Sequence, residues 1–327
     1  MRAGAYGLSL LSNPLNVQIL GALGSGALPL PDLRRTVGLP PHTTLRVYLR
    51  TLVDIGVLSR RRDREFPGGV SYELTDSGHD LLATAWVLEA WLSGAPDTAI
   101  PLGGAAAKSA IKALVDGWST KILRALAAKP LSLTELDRLI PNVNYPALER
   151  RLGAMRLAGQ IAAAPGRGAS TPYKVTDWLR GAVAPLLAAA SWERSRAPAA
   201  CEDFGRLDAE AAFLLAVPML ELPATLHGTC RLAVDLSNGG QPEEAGVVVE
   251  FERGRPVSCR SDQRAEAASW AIGSTAHWLS ALRGSPDAGL QIDGNRELVH
   301  SVIAGLRRAL FPYDEHLSVA RASDCPA

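Results

Sequence analysis

The chain has 327 residues, of which 47% are hydrophobic, and this length and composition suffice for two or three hydrophobic cores. Its net charge at pH 7 is +1. Its N-terminus lacks the charged-then-apolar pattern of a signal peptide, and no apolar run approaches the length that spans a membrane. The four cysteines without CxxC spacing fit a reducing compartment, so we expect a cytoplasmic protein, and the Ala-, Arg- and Gly-rich composition is typical of bacteria.

An internal repeat dominates the first two thirds of the chain. Residues 14–92 reappear from about 117 to 193 at an offset of 103, which becomes 101 after two residues are lost from one loop. The first offset aligns Gly56 with Gly159, and the second aligns Trp91 with Trp192. Because each copy of a repeat is one folding unit, we expect a paired function.

Each copy predicts three helices followed by a β-hairpin and a closing helix. In the first copy the helices begin near Asn16, Pro29 and Thr43, the β-type runs begin at Val57 and Val70, and the closing helix covers Ala83 to Trp91. In the second copy the helices begin near Trp118, Leu133 and Tyr145, the strands are QIAAA and PYKVT, and the closing helix covers Leu179 to Trp192. Three helices followed by a hairpin describe a winged helix.

The third helix of the first copy is amphipathic. Leu45, Leu49 and Leu52 lie at helical spacing on one face, which we expect to be core. Arg46 and Arg50 then point to the other side, where they are available to a partner.

The order of these elements, with the runs LVDIG or MRLAG before a Pro-bearing wing and then YELTDSG or YKVTDW, resembles two HxlR-type winged-helix transcriptional regulators in tandem. The resemblance implies a partner, double-stranded DNA, with the third helix in the major groove and the wing on phosphates. It also implies homodimers of single units. Covalent duplication can replace such a dimer with a pair inside one chain, and a homodimer of the whole chain stays open.

The charge distribution independently favours a polyanion partner. Residues 108–196 carry 14 Arg or Lys against 6 Asp or Glu, whereas residues 197–327 carry 11 against 18. The predicted DNA-binding residues lie on the third helices and wings of both copies: His42, Thr43, Thr44, Arg46, Arg50, Arg60, Arg61, Arg62, Arg64, Asn144, Tyr145, Arg150, Arg151, Arg167 and Lys174.

The outward residues of the two third helices differ, since Arg46 and Arg50 correspond to Glu149 and Gly153. Different donors contact different base edges, so we expect an asymmetric operator or an imperfect palindrome. The alternative is that one or both winged helices bind only protein or support the fold, because arginine clusters are often solvated faces.

Beyond Arg194 the pattern changes to a predicted α+β unit. We expect a helix from Asp208 and an antiparallel sheet whose strands begin at Gly228, Ala245 and Arg255. We also expect one helix that carries both Trp270 and Trp278, and a last helix from 296 to 310. The runs WAIGSTAHWLSAL and LQIDGNRELVHSVIAGL resemble a sterol carrier protein type two domain, which implies an apolar cavity for a small hydrophobic ligand. Its candidate lining residues are Phe213, Met219, Phe251, Trp270, His277 and Trp278; the alternative is that these side chains fill a core.

Catalytic and metal-binding signals are weak, so we expect no enzyme, no cofactor and no metal. Gln291 and Asp293 have the Gln-x-Asp spacing of some winged-helix glycosylases, but they precede the last helix of the carrier-like segment, and we interpret them as a coincidence.

The sequence therefore predicts a mainly α fold with an α+β part: winged helices at residues 1–92 and 108–193, and a sterol-carrier-like domain at 207–312. The predicted function is a ligand-responsive, DNA-binding transcriptional regulator. The alternative is a binding protein that sequesters a small hydrophobic compound and uses the winged helices as a scaffold.

Overall fold

The computed structural model describes residues 3–62, 69–117, 120–140, 144–165, 171–196, 206–236, 243–261, 267–283 and 289–311. The elements up to residue 117 are, in chain order, α1 (Ala5–Leu11), α2 (Pro14–Leu23), β1 (Leu28–Pro29), α3 (Leu30–Thr36), α4 (His42–Asp54), β2 (Leu58–Arg62), β3 (Val70–Leu74), α5 (Asp76–Ser93) and α6 (Ala105–Gly117). Strand β3 lies between β1 and β2, and both pairings are antiparallel.

The second repeat has its elements in the same order. They are α7 (Thr120–Ala128), β4 (Leu131–Ser132), α8 (Leu133–Leu139), α9 (Tyr145–Leu157), β5 (Ile161–Ala163), β6 (Pro172–Val175), α10 (Asp177–Gly181) and α11 (Val183–Arg196). Strand β6 pairs with β4 and β5, again antiparallel. The predicted closing helix from Leu179 is therefore two helices, α10 and α11, and the helices α1 and α6 have no counterpart in the sequence prediction.

Equivalent turns end the third helix in both copies. Gly56 and Gly159 have positive φ angles of 72° and 73°, a backbone conformation that glycine adopts without steric cost. Thr75 and Thr176 then cap the next helices, since their hydroxyl oxygens accept hydrogen bonds from Gly78 N (3.1 Å) and Leu179 N (3.2 Å) respectively. The repeated sequence thus produces repeated local hydrogen bonding.

The C-terminal segment contains α12 (Arg206–Ala216), a 3₁₀ turn (Val217–Met219), β7 (Gly228–Asp235), β8 (Glu244–Glu252), β9 (Arg255–Ser261), β10 (Ser269–Ser274), α13 (Thr275–Arg283), β11 (Gln291–Asp293) and α14 (Arg296–Leu310). The strand order is β11-β10-β7-β8-β9. The last helix has the predicted bounds.

Two predictions for this segment are wrong. The expected single helix with Trp270 and Trp278 is a strand followed by a helix, because Ser269, Ala271 and Gly273 are buried in alternation with half-buried neighbours, which is the period of a strand. The sheet is also mixed and not antiparallel, since β10 runs parallel to β7. The small residues of this strand hide the β pattern in the sequence.

The chain divides into two compact units. One contains residues 1–115 and 185–202, and the other contains residues 116–184 and 203–327. One boundary falls inside α11, between Ala184 and Pro185, so the last part of this helix packs with the first copy. The boundaries of the two compact units therefore do not coincide with the boundaries of the two repeat copies.

The second unit is built around contacts of α12. This helix packs against α7 and against β8 of the sheet. At the contact with α7, Glu210 is buried, with 1% of its side chain exposed, and its carboxylate forms a salt bridge with Arg124 Nε at 2.5 Å. Residues of the second repeat thus share a core with the C-terminal sheet.

Candidate nucleic-acid interface

Helix α4 presents one apolar and one polar face. Leu45, Leu49 and Leu52 are fully buried in the first compact unit. The predicted contact residues on this helix are all exposed: His42, Thr43, Thr44, Arg46 and Arg50. Val47 lies among them and is 63% exposed, which is unusual for a β-branched apolar residue. The exposed face of α4 therefore offers guanidinium and hydroxyl donors together with an apolar contact.

Strand β2 continues this basic surface. Arg60, Arg61 and Arg62 are exposed, and β2 packs against α4. Arg61 forms a salt bridge with Glu73 at 2.8 Å, whereas Arg60 and Arg62 point to the other side of the strand. The three arginines are thus not equivalent, and Arg61 already has a carboxylate partner. Arg64 lies outside the described residues.

The corresponding helix and hairpin of the second copy also carry exposed basic residues. Tyr145, Arg150 and Arg151 are exposed on α9, and Lys174 is exposed on β6. The predicted contact Asn144 caps α9, because its Oδ1 accepts a hydrogen bond from Ala147 N at 3.0 Å. Arg167 lies outside the described residues. At the repeat offsets Arg60, Arg61 and Arg62 correspond to Ala163, Ala164 and Pro165, and Lys174 is the one basic residue in the described part of this hairpin.

A tyrosine on α4 that the sequence analysis did not single out ties this helix to the rest of its unit. The hydroxyl oxygen of Tyr48 accepts a hydrogen bond from Asn13 Nδ2 at 2.8 Å. Asn13 also caps α2 through its Oδ1, which accepts from Leu15 N at 3.0 Å. The Asn-Pro pair at 13 and 14 is a helix-start signal in the sequence, but the contact with Tyr48 has no sequence signature.

Three of the six predicted ligand-binding residues are buried aromatic side chains. Phe213, Phe251 and Trp278 are buried. Phe213 packs edge-on against Trp278 with ring centroids 5.0 Å apart, and Trp278 Nε1 donates a hydrogen bond to the Ala233 carbonyl at 2.7 Å. Three of the six candidates thus fill the core.

The other three candidates lie elsewhere in the second unit. Trp270 is half-buried on β10, and His277 is exposed at the start of α13. Met219 lines an open cleft of about 340 Å³ together with Asp177, Pro218, Leu220, Glu221, Arg255 and Pro256. This lining combines apolar side chains with the charged residues Asp177, Glu221 and Arg255.

The described residues contain no metal-binding cluster, no membrane-spanning helix and no activated thiol. No group of three or more His, Cys, Asp or Glu side chains there could hold a metal ion. In the same ranges no helix is long and apolar enough to cross a bilayer. Burial raises the pKa values of Cys230 and Cys259 to about 12, so neither thiol is an activated nucleophile.

A helical bundle followed by an antiparallel hairpin, with an exposed basic face on the third helix, is the architecture of a winged-helix DNA-binding protein. Residues 10–98 match the model of the HxlR-like helix-turn-helix family. The solved structure "Putative transcriptional regulator ytfH from Salmonella typhimurium" has 32% sequence identity to this chain and a TM-score of 0.23. The match covers 24% of this chain and 70% of the chain of that structure. Comparison with curated proteins gave no match. The family match therefore covers the first winged helix, residues 10–98.

Proposed function

We propose that this chain is a DNA-binding transcription regulator and that α4 is its recognition helix, which enters the major groove of the operator. The observation that carries this proposal is the exposed face of α4, where Arg46 and Arg50 lie beside His42 and two threonines. Arginine binds the O6 and N7 atoms of guanine in bidentate fashion, and a threonine methyl group fits the methyl group of thymine. This face therefore has the chemistry for base recognition.

We propose that β2 holds the phosphate backbone next to the recognition helix. Arg60 and Arg62 have long, exposed side chains, and a strand that follows α4 after a tight turn is where a wing contacts DNA. Phosphate contacts give affinity without sequence preference and make that affinity depend on salt.

The second copy, residues 108–193, is proposed to be a second winged helix with α9 as a weaker recognition helix. Arg150 and Arg151 support this role, whereas Glu149 on the same helix opposes contact with phosphates. Unlike the first copy, the second has no arginine in its described strands. The expected operator is therefore asymmetric, with most base contacts in the half that α4 occupies.

The C-terminal residues 207–312 are proposed to form a sterol-carrier-like sensor of a small hydrophobic compound. The half-buried Trp270 and the cleft beside Met219 support this role, because a ligand pocket needs partly accessible apolar surface. By linkage, a compound that changes DNA affinity must have its own affinity changed by DNA by the same factor.

The test is to select duplexes from a random-sequence pool with the full chain, sequence them, and repeat the selection with Arg46→Ala. The full chain is needed because α7 packs against α12, so truncation after α11 would expose a buried face. Enrichment of one motif that Arg46→Ala alters supports α4 as the recognition helix. Enrichment of no sequence, or an unaltered motif in the variant, contradicts it.

A further inference from the structure

The start of the chain is held by a glutamate from the end of the second repeat. The carboxylate oxygens of Glu193 accept hydrogen bonds from the backbone N–H groups of Gly4 and Gly7, each at 2.8 Å. Helix α1 begins after Gly4, which has no side chain to cap it, so Glu193 supplies acceptors that the local sequence lacks. Since Glu193 lies near the end of α11, this contact joins α11 to α1 inside the first compact unit.

The same two helices make close apolar contact. A Cβ atom at Gly4 would lie 2.5 Å from the carbonyl oxygen of Leu186, so only glycine allows this approach. Tyr6 stacks on Trp192 with ring centroids 6.2 Å apart, and the guanidinium of Arg196 lies 4.9 Å from the Trp192 ring. Helix α1 is thus fixed on α11 by both polar and aromatic contacts.

Further hydrogen bonds extend this contact to the recognition helix. The buried Asn16 donates through Nδ2 to the Leu10 carbonyl at 2.9 Å, which fixes the corner between α1 and α2. Asn13, at the same corner, donates to the hydroxyl of Tyr48 on α4 at 2.8 Å. A continuous set of short contacts therefore runs from α11 through α1 and the start of α2 to α4.

The second copy does not reproduce these contacts. At the repeat offsets, Glu193 corresponds to Leu92, and Tyr48 corresponds to Arg151. Leu92 cannot accept hydrogen bonds from two backbone N–H groups, and Arg151 has no acceptor atom for an amide donor. The arrangement thus belongs to the copy whose third helix carries Arg46 and Arg50.

We propose that Glu193 and Tyr48 are positioning residues for α4, so that the end of the second repeat sets the orientation of the recognition helix in the first. This inference rests on the proposed function of α4. Neither residue needs to touch DNA for this role. Glu193 holds the start of α1, and Asn13, between α1 and α2, donates its hydrogen bond to Tyr48 on α4. A direct consequence is that a change in α11 alters DNA recognition without altering any DNA contact.

The experiment compares Tyr48→Phe and Glu193→Gln in the full chain with Glu89→Gln, a control that removes an exposed carboxylate from α5. The probes are a duplex that the wild-type chain selects from a random pool and a random-sequence duplex of equal length. Each positioning variant should lower the ratio of selected to random affinity about three- to tenfold, the loss expected for one hydrogen bond, and the control should leave it unchanged. A variant that loses thermal stability but keeps the wild-type ratio has a merely structural role, which overturns the proposal.

Amide hydrogen exchange provides a readout that does not depend on DNA. Glu193→Gln should speed exchange in α1 and also in α4, while α9 in the second copy should exchange as in the wild type. Faster exchange confined to α1 shows that the contact does not reach α4 and overturns the inference. Failure of the wild-type chain to select any duplex refutes the proposed function instead, and the exchange result then still decides whether Glu193 positions α4.

Discussion

The indole of Trp192 on α11 donates a hydrogen bond through Nε1 to the carbonyl oxygen of Ser77 on α5 at 2.8 Å. Ser77 lies directly after Thr75 and Asp76, where the wing of the first copy passes into its closing helix. The closing helix of the second repeat therefore contacts the first copy at two places, the start of α5 and the start of α1. Trp192 is buried and belongs to the core of the first compact unit.

Trp192→Phe should lower the free energy of unfolding by about 1–3 kcal/mol, because the variant loses this part-buried hydrogen bond and leaves a gap where the buried indole packed. Trp86→Phe is the matched control, since Trp86 is 46% exposed on α5. Denaturation with urea measures both. Equal free energies for the two variants would show that the contact with Ser77 contributes nothing to stability.

The arginines of the first copy should separate into two groups by their effect on DNA. Arg46→Ala and Arg50→Ala should each reduce the preference for the selected duplex over random DNA by about 1–3 kcal/mol, whereas Arg60→Ala and Arg62→Ala should weaken all sequences alike. Arg61→Ala should have a smaller effect, because Arg61 is paired with Glu73. Titrations of both duplexes at one salt concentration measure these differences, and equal losses of preference for all five variants would refute the assignment of helix and wing.

The sequence predicts the first three helices and the hairpin of each copy because their periodicity and caps are local. Leu45, Leu49 and Leu52 define the core face of α4 by spacing alone, and all three are buried. The strand with Trp270 is missed because its buried positions are serine, alanine and glycine, which carry little hydrophobic signal. Contacts such as Glu193 with Gly4 join residues 189 positions apart, and no local pattern encodes them.

The predicted ligand site shows the same limit. Aromatic residues at helical spacing predict either a core or a pocket, and only packing distinguishes the two. Phe213 and Trp278 pack on each other in the core, whereas the cleft beside Met219 is lined mainly by residues that the sequence did not single out. The choice between core and pocket therefore depends on tertiary contacts.

The salt bridge between Arg124 and Glu210 should be essential to the second unit. Arg124→Met should destabilise this unit by about 3–5 kcal/mol, because it removes the cationic partner of a carboxylate that is 1% exposed. Lys121→Met changes an exposed residue of the same helix and should have an effect within about 0.5 kcal/mol. Adding Glu210→Met to Arg124→Met should restore part of the loss. Calorimetry measures all three variants, and a neutral Arg124→Met would contradict this role.

The buried cysteines should make stability depend on alkaline pH. Burial raises the pKa values of Cys230 and Cys259 to about 12 from a usual value of 9.0. Below pH 9 both states keep the protons, whereas between pH 9 and 12 the unfolded state releases them first, so the free energy of unfolding falls over this range. A chain with Cys230→Ala and Cys259→Ala should show a shallower fall. Identical pH dependence of the two chains would show that the thiols are accessible in the folded state.

DNA binding through α4 and β2 is tested most directly by titrating the full wild-type chain with its selected duplex at several salt concentrations. The logarithm of the affinity should fall linearly with the logarithm of salt concentration, with a smaller slope after Arg60→Ala and Arg62→Ala because fewer phosphates are neutralised. Arg46→Ala should lower the affinity for this duplex more than that for random DNA. Absence of duplex binding by the folded chain at low salt would contradict a DNA-binding role for this surface.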